Sequence, residues 1–490
     1  MMKIKEKLKN KVGSEKAREL LVNSFWSILG SIISKGLVFL AWILVGRILG
    51  KEDYGSFGII RNTVIMFTSF AGLGLGLTAS KFVAEFLHSD KAKVERILGL
   101  TLAFGTIMGA IIGVFTLIFS SYLAKDMLHA PALVFDLQIA SIILFFSSLN
   151  GAQIGALQGL QAFKKLASIN TWQAICSFPL FIVGAYYGGV RGSVEAFAFY
   201  NIIICVFSYF AIRTESKKLG IRINYKDALL EKRIILTYSL PAFLSGLMIT
   251  PLKWLSDVML VNTPNGFQSM GIFTAALTFN SIFMMLTSML DAPFLTLMSK
   301  NKNDSTDSNF NRFNIIAPWA IGIFLILPFL VFPETGAMLF GKDYEGSEFK
   351  WTFIFILLFT LLIMYKQGLS RILAVYNMQW YAVLSNLIWG LTLLVSFYYL
   401  KIYGTVGLGG SYTIAYFVCA VAMLPFYFKK KLIPRHTIFS PYAVLLWLFI
   451  AALTAMNLFS VSVIMRSMVL GLSFVLLFFI LRTYILDKKL

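Results

Sequence analysis

The sequence is poor in the residues on which most soluble enzymes rely. It contains 3 cysteines and 3 histidines, and only 13% of its 490 residues are charged. The cysteines are far apart inside apolar runs, and the histidines lie in separate loops, so their spacing predicts neither a disulfide framework nor a metal site. Soluble domains carry about one charged residue in four. The composition therefore excludes a soluble enzyme, a secreted disulfide scaffold and a disordered chain.

Hydrophobic residues are abundant instead, at 58% of the sequence, and they form long continuous runs. A membrane-crossing helix needs about 20 apolar residues, and barrel strands would alternate apolar with polar residues. The runs predict an all-α polytopic membrane protein with about fourteen transmembrane helices. The predicted spans are 22–46, 54–80, 96–121, 132–159, 168–190, 194–212, 234–261, 268–290, 313–333, 351–370, 378–400, 404–428, 438–458 and 463–485.

The positive charges predict the orientation of these spans. A net charge of +20 would indicate nucleic-acid binding in a soluble protein, but here we expect no nucleic-acid partner. With the N-terminus in the cytoplasm, 32 of the 43 lysines and arginines fall on the cytoplasmic side, as the positive-inside rule requires. We therefore expect a multi-pass protein of the plasma membrane with both termini in the cytoplasm. The basic segment 1–21 is predicted to be a helix on anionic lipid headgroups rather than a cleaved signal.

A polar stretch at 213–233 divides the spans into two groups. It carries seven positive charges and is the longest polar interruption. We interpret it as a cytoplasmic linker between an N-lobe of six spans (22–212) and a C-lobe of six spans (234–428), followed by two further spans in 437–486. An even number of spans per lobe predicts parallel repeats related by an axis along the membrane normal.

A weak internal sequence similarity, called the sequence echo below, supports this division. The segment YGSFGII begins at Tyr54 and the segment MGIFTAA begins at Met270, so the two are offset by 216 positions. We interpret them as equivalent positions of the two repeats.

Among the few ionisable residues within the predicted spans, four carry the argument about a cavity: Lys35, Arg61, Lys253 and Asp257. A charge at the bilayer centre costs about 2.5–3.5 kcal/mol on the insertion scale, so such residues usually face the interior of the bundle or a wet cavity. The three cations lie at similar depth on the opening spans of both lobes and predict one cationic central cavity. Alternatively, Lys35 and Arg61 snorkel to the interface and Lys253 only pairs with Asp257. Lys35 shares one helical face with a serine stripe, Ser24, Ser27 and Ser31. A lipid-facing position of Lys35 does not explain this stripe.

Two smaller hypotheses concern ion coupling and polar packing. Asp257 follows Lys253 by four positions and should form an ion pair with it. Asp257 is then either a fixed structural partner or the site of proton or sodium coupling. No other cofactor and no metal is expected. Asn150 and Gln153, near the inner end of the fourth span, either bond to neighbouring helices or touch a sugar as a secondary site.

At several places the chain resembles a known family. The motifs that carry the resemblance are RILGKEDYGSFG from Arg47, GLGLTASKFVAE from Gly74, GALQGLQAF from Gly155, SLPAFLSGL from Ser239 and LFGKDYEGS from Leu339. In kind and order they resemble the Wzx-like oligosaccharide flippases of the multidrug/oligosaccharidyl-lipid/polysaccharide (MOP) exporter superfamily.

This resemblance implies a transporter rather than an enzyme. Members move a polyprenyl (pyro)phosphate-linked oligosaccharide from the inner to the outer leaflet by alternating access, for assembly of cell-surface glycans. By location, the basic cavity residues would be Lys35, Arg61 and Lys253. The implied partners are the lipid-linked glycan and a glycan polymerase or transferase.

Two other functions stay open from the sequence. One is a cation-coupled multidrug antiporter of the same superfamily, although an acidic or apolar site would suit cationic drugs better. The other is a membrane-embedded glycosyltransferase or polymerase, which usually carries catalytic acids and a substantial soluble loop. The longest stretch between predicted spans here is only the 21 residues of 213–233.

Overall fold

The structure, a computed structural model, describes most of the chain as helix. It covers residues 15–486, except for 73, 235–238, 240–247, 292–293, 296–297, 299–307, 377, 431, 434–438 and 460. The described residues include no strand. The predicted all-α fold is therefore confirmed, whereas most of the basic segment 1–21 lies outside the described residues.

Fourteen helices of seven residues or more lie in the described part of the chain. Before the linker they are α1 (Glu15–Gly72), α2 (Leu75–Phe86), α3 (Lys91–Tyr122), α4 (Val134–Gly159) and α5 (Phe163–Leu219). After it come α6 (Thr250–Val261), α7 (Gly266–Ser288), α8 (Ser308–Val331), α9 (Glu334–Phe340), α10 (Ser347–Val375), α11 (Gln379–Leu400), α12 (Gly404–Lys429), α13 (Pro441–Met456) and α14 (Val463–Leu486).

Within the residues that the structure describes, eight helical stretches are long and apolar enough to cross a membrane. Three of them, Ile32–Gly72, Phe163–Leu219 and Trp380–Lys429, each contain two predicted spans, so the eight stretches hold eleven of the fourteen. The remaining three predicted spans correspond to α6, of which only the second part is described, and to the shorter apolar helices α13 and α14.

Two long helices are in fact pairs of helices joined at a glycine. In α1, Gly50 has φ 72° and ψ 174°; in α5, Gly189 has φ 57° and ψ −134°. Both conformations have a positive φ, which an L-residue with a Cβ adopts only at a steric cost. The chain reverses at these points without any loop, and this explains why two predicted spans merge into one helical element.

The described helices form two compact units. The first comprises the described residues within 1–42 and 63–243, and the second comprises those within 43–62 and 244–490. The segment Ile43–Asn62, which the sequence places with the N-lobe, thus packs with the second unit.

In the first unit, the predicted linker is folded against α3. Asn224 donates its backbone N–H to the carbonyl of Glu95, and Arg96 forms an ion pair of 2.8 Å with Glu231. The fit is close because a Cβ on Gly99 would lie 2.0 Å from the Asn224 carbonyl oxygen. The linker is therefore an ordered part of the first unit.

In the second unit, the segment of α1 after Gly50 crosses α7 at very short distance. A Cβ on Gly55 would lie 1.8 Å from the carbonyl oxygen of Phe267, and a Cβ on Gly271 would lie 1.7 Å from that of Lys51. Gly55 and Gly271 are 216 positions apart, as are Lys51 and Phe267. Gly55 contacts Phe267, and its equivalent Gly271 contacts Lys51, which is the equivalent of Phe267. The two contacts are therefore equivalent to each other.

Two more contacts join positions separated by the same offset. Gln268 donates to the carboxylate of Glu52 at 3.3 Å, and a Cβ on Gly58 would lie 2.4 Å from the hydroxyl of Thr274. Contacts between self-equivalent positions lie on a two-fold axis, as in a symmetric dimer interface. The weak sequence echo therefore marks a contact with local two-fold pseudo-symmetry.

Candidate functional site

Three of the four charged residues singled out within the predicted spans come together in the second unit. Arg61 lies on α1 after the kink, and Lys253 and Asp257 lie one turn apart on α6. Asp257 is fully buried, while Arg61 and Lys253 are half-buried. The three charges are near enough to interact with one another. Two cations beside one carboxylate leave this cluster with a net positive charge.

The buried carboxylate has a different partner from the predicted one. Asn62 Nδ2 donates to Asp257 Oδ2 at 2.9 Å. Among the ion pairs within 4.0 Å formed by described residues, none joins Lys253 to Asp257. The predicted ion pair is therefore wrong as a direct contact. The carboxylate turns to the amide of α1 because a buried polar group needs a hydrogen bond to replace its hydration.

The second carboxylate oxygen keeps a free lone-pair site. Asp257 Oδ1 is buried and has no hydrogen-bond partner among the described residues. A carboxylate can bind a proton or coordinate a hard cation through such an oxygen. In the described part of the chain, no group of three or more His, Cys, Asp or Glu residues could hold a metal ion. Asp257 Oδ1 is thus the atom of this cluster that can take up a proton or a cation.

Two buried tyrosines lie next to the charged cluster. The hydroxyl of Tyr54 faces Arg61 and Thr278, and that of Tyr412 lies near Ser256 and Asp257. Both tyrosine side chains are at most 1% exposed. Burial of this kind lowers the local dielectric constant and strengthens the interaction of the cluster with an anion.

Lys35 belongs to the first unit, and its side chain is exposed. The side chains of the serine stripe before it lie outside the described residues. The choice between a cavity position and snorkelling at Lys35 therefore stays a prediction.

Asn150 and Gln153 are buried on α4 within the first unit. Asn150 Nδ2 donates to Ser208 Oγ on α5 at 3.2 Å and to Gln153 Oε1 at 3.4 Å. Of the two alternatives for this pair, the bonds observed are those of helix packing.

Sequence reasoning missed two features of the second unit. The first is Asn62. It is a polar residue next to Arg61 in an apolar span, and this position could have indicated its role. The other is Arg371, which directly follows the predicted span 351–370 but lies inside α10 with its side chain 3% exposed. Arg371 forms an ion pair of 2.7 Å with Asp291 and donates to Asn314 Oδ1 at 2.8 Å. Its burial depends on partners far away in sequence, so no local pattern could reveal it.

The sequence matches the family model described as "Polysaccharide biosynthesis protein" over residues 20–276, which is more than half of the chain. The chain belongs to this family. Its several long apolar helices make it a multi-pass membrane protein. It is 23% identical over 407 residues to the uncharacterized membrane protein MJ1375 of Methanocaldococcus jannaschii, covering 79% of this chain and 93% of the relative. It is also 23% identical over 157 residues to stage V sporulation protein B of Bacillus subtilis, covering 32% and 30%.

Solved structures show that the chain has the fold of MOP-superfamily transporters. An inward-facing multidrug resistance MATE transporter superposes with a TM-score of 0.66 at 16% identity, covering 83% of this chain and 98% of that one. A MOP-superfamily transporter from Pyrococcus furiosus, described as having a binding pocket of reversed polarity, gives 0.60 at 16% identity, covering 84% and 95%. The chain therefore has the MOP-superfamily fold that the sequence resemblance implied.

Proposed function

We propose that this protein is a flippase that moves a polyprenyl (pyro)phosphate-linked oligosaccharide from the inner to the outer leaflet of the plasma membrane, for assembly of cell-surface glycans. Family membership supports a transporter of this type. The observation that carries the substrate class is the cationic cluster, in which Arg61 and Lys253 outnumber the single carboxylate of Asp257. A phosphate group needs such a site because its charge cannot enter hydrocarbon unaided.

The mechanism follows from this charge balance. In an apolar surrounding, Arg61 and Lys253 replace the water around the phosphate with charge-assisted hydrogen bonds. The polyprenyl tail stays in the lipid while alternating access exposes the site to each side in turn. No covalent step is needed. The expected partners are the lipid-linked glycan, anionic lipid headgroups and a glycan polymerase or transferase.

Deletion and complementation test this proposal. Loss of the gene should cause a lipid-linked glycan to accumulate in the inner leaflet, and mass spectrometry of that lipid would identify the sugars. Arg61→Ala and Lys253→Ala should weaken phosphate binding roughly tenfold or more, since each removes a charge-assisted bond. The exposed Lys125 serves as the control, and Lys125→Ala should transport normally. Full activity of both Arg61→Ala and Lys253→Ala would disprove the proposed binding site.

The role of Lys35 needs its own pair of variants. Lys35→Ala should reduce export at normal expression if this lysine binds the substrate, and Lys35→Arg should keep part of the function. Normal export by Lys35→Ala would favour snorkelling.

We further propose that Asp257 couples transport to a proton or sodium gradient. Its Oδ1 atom is buried without a hydrogen-bond partner among the described residues, while phosphate binding would draw Lys253 away from the carboxylate. Asp257→Asn should then be well expressed, but its transport should no longer respond to pH or sodium.

A purely structural carboxylate predicts something different for the same variant. Asp257→Asn would lower expression, because Arg61 and Lys253 would lose their compensating charge, and adding Lys253→Met would restore part of it. Normal transport with an intact ion response would rule out coupling at this residue.

The alternative function is a cation-coupled multidrug antiporter. The MATE-like fold and the buried acid favour it. Increased sensitivity to cationic drugs after deletion, without accumulation of a lipid-linked glycan, would select this function.

A further inference from the structure

A groove opens on the first unit between the two halves of α5. It has a volume of about 370 Å³. One wall is formed by one face of the first half and the other by one face of the second. The lining residues are Lys165, Ser168, Ile169 and Trp172 on the first half and Phe207, Phe210, Ala211 and Thr214 on the second. Both sets have the spacing i, i+3, i+4, i+7, which keeps four side chains on one helical face.

The depth of the groove depends on the size of the residues at its centre. Ile169 and Ala211 are 6% and 7% exposed and form the bottom. The methyl side chain of Ala211 leaves open the space that a larger residue would fill. Nearer the kink, the two halves touch closely, since a Cβ on Gly192 would lie 2.1 Å from the Gly184 carbonyl oxygen. The groove is therefore confined to the end of α5 that leads to the linker.

Polarity changes along the groove. Lys165, Ser168 and Thr214 supply one ammonium and two hydroxyl groups at the end near the linker. Trp172 and Phe207 lie about seven residues, or roughly 10 Å, deeper along the helices. Trp172 is 58% exposed and Phe210 is 57% exposed, although they stand beside a buried floor. A charged mouth above an aromatic cleft fits a molecule with an anionic head and a hydrocarbon tail.

The mouth of the groove carries a positive charge that can bind such an anionic headgroup. Lys165 takes part in none of the ion pairs formed by the described residues. Thr214 and Ser168 can donate hydrogen bonds to phosphate oxygens. Tryptophan at headgroup depth is common in membrane proteins, but a lysine, two hydroxyls and a buried floor around one groove are not explained by an aromatic belt.

We propose that this groove binds one anionic phospholipid of the surrounding leaflet, with its phosphate at Lys165 and an acyl chain along Trp172. By the predicted orientation this is the cytoplasmic leaflet. The site lies within the first unit, apart from the cationic cluster of the second, and does not depend on the proposed transport function.

Fluorescence quenching of Trp172 tests the proposal. The full-length protein is placed in vesicles that contain either brominated phosphatidylglycerol or brominated phosphatidylcholine. The signal of Trp172 is obtained by subtracting that of Trp172→Phe, which keeps an aromatic ring in the groove. Phosphatidylglycerol should quench Trp172 at about fivefold lower mole fraction, the preference expected for one basic residue at the surface. Equal quenching by both lipids would overturn the proposal, because ordinary lipid around the protein shows no such preference.

Neighbouring lysines provide a matched control. Lys164 is also exposed but does not line the groove. Lys165→Ala should abolish the headgroup preference, whereas Lys164→Ala should keep it. An equal loss in both variants would show diffuse surface charge instead of a site.

Competition identifies the occupant. Undecaprenyl phosphate, a polyprenyl carrier, should relieve the quenching by brominated phosphatidylglycerol no better than unlabelled phosphatidylglycerol does. Relief at a tenfold lower mole fraction would mean that the groove holds the carrier lipid, and the proposed phospholipid would be wrong.

Discussion

Substituting Gly271 tests the glycine contact that joins α7 to the segment after the α1 kink. In Gly271→Ala the new methyl would lie 1.7 Å from the Lys51 carbonyl oxygen, whereas ordinary contact begins at 3.4 Å. The two helices must therefore separate by about 1.7 Å. Overpacking of this kind costs about 1–3 kcal/mol, and alanine returns about 0.5–1 kcal/mol of helix propensity. We expect a net loss of about 1–2 kcal/mol.

The local pseudo-symmetry makes this prediction sharper. Gly55→Ala should cost a similar amount, since its methyl would lie 1.8 Å from the Phe267 carbonyl oxygen. The separation that admits one methyl also makes room for the other. The double variant should therefore lose less free energy than the sum of the two single losses, by about 0.5 kcal/mol or more.

A glycine in the half of α1 before the kink gives the control. A Cβ on Gly36 would have no heavy atom within 4 Å, so Gly36→Ala should be neutral or slightly stabilising. The measurement is the free energy of unfolding of the purified full-length protein, from a denaturant titration in mixed micelles. If Gly271→Ala is as stable as Gly36→Ala, or if the losses at Gly55 and Gly271 simply add, the inferred contact is wrong.

Three further predictions concern the second unit and the orientation of the chain. Tyr344→Phe removes a buried hydroxyl that donates 3.0 Å to a backbone carbonyl of α1 and should lower the free energy of unfolding by about 1 kcal/mol. Cysteines at Glu52 and Gln268, whose side chains are 3.3 Å apart, should cross-link with a short thiol reagent in a variant without native cysteines. If alternating access opens this contact, the cross-link should stop transport. Unchanged transport would show that the contact does not open during alternating access. A cysteine at Asp343 should react with an impermeant reagent in intact cells, while labelling at Lys217 would reverse the orientation.

Several properties of the molecule follow from the sequence by itself. Apolar runs of about 20 residues can only be buried in a bilayer as helices, because every backbone group must then bond within its own segment. This is why the all-α fold and most span positions could be predicted. The high cost of a charge in hydrocarbon likewise singled out Arg61, Lys253 and Asp257, and the structure brings these three together in one unit.

Tertiary structure alone decided which groups bond to one another. Asp257 turns to Asn62, 195 positions away, rather than to Lys253 one turn along its own helix. The segment Ile43–Asn62 joins the second unit, although the polar linker at 213–233 suggested that everything before it would form the first. Hydropathy indicates which segments cross the lipid, but it does not specify which other helix packs against each segment. The offset between Tyr54 and Met270 indicated equivalent positions, but it did not show that they touch. Their contact depends on the absence of a Cβ at Gly55 and at Gly271, each of which lies against a backbone carbonyl of the other helix.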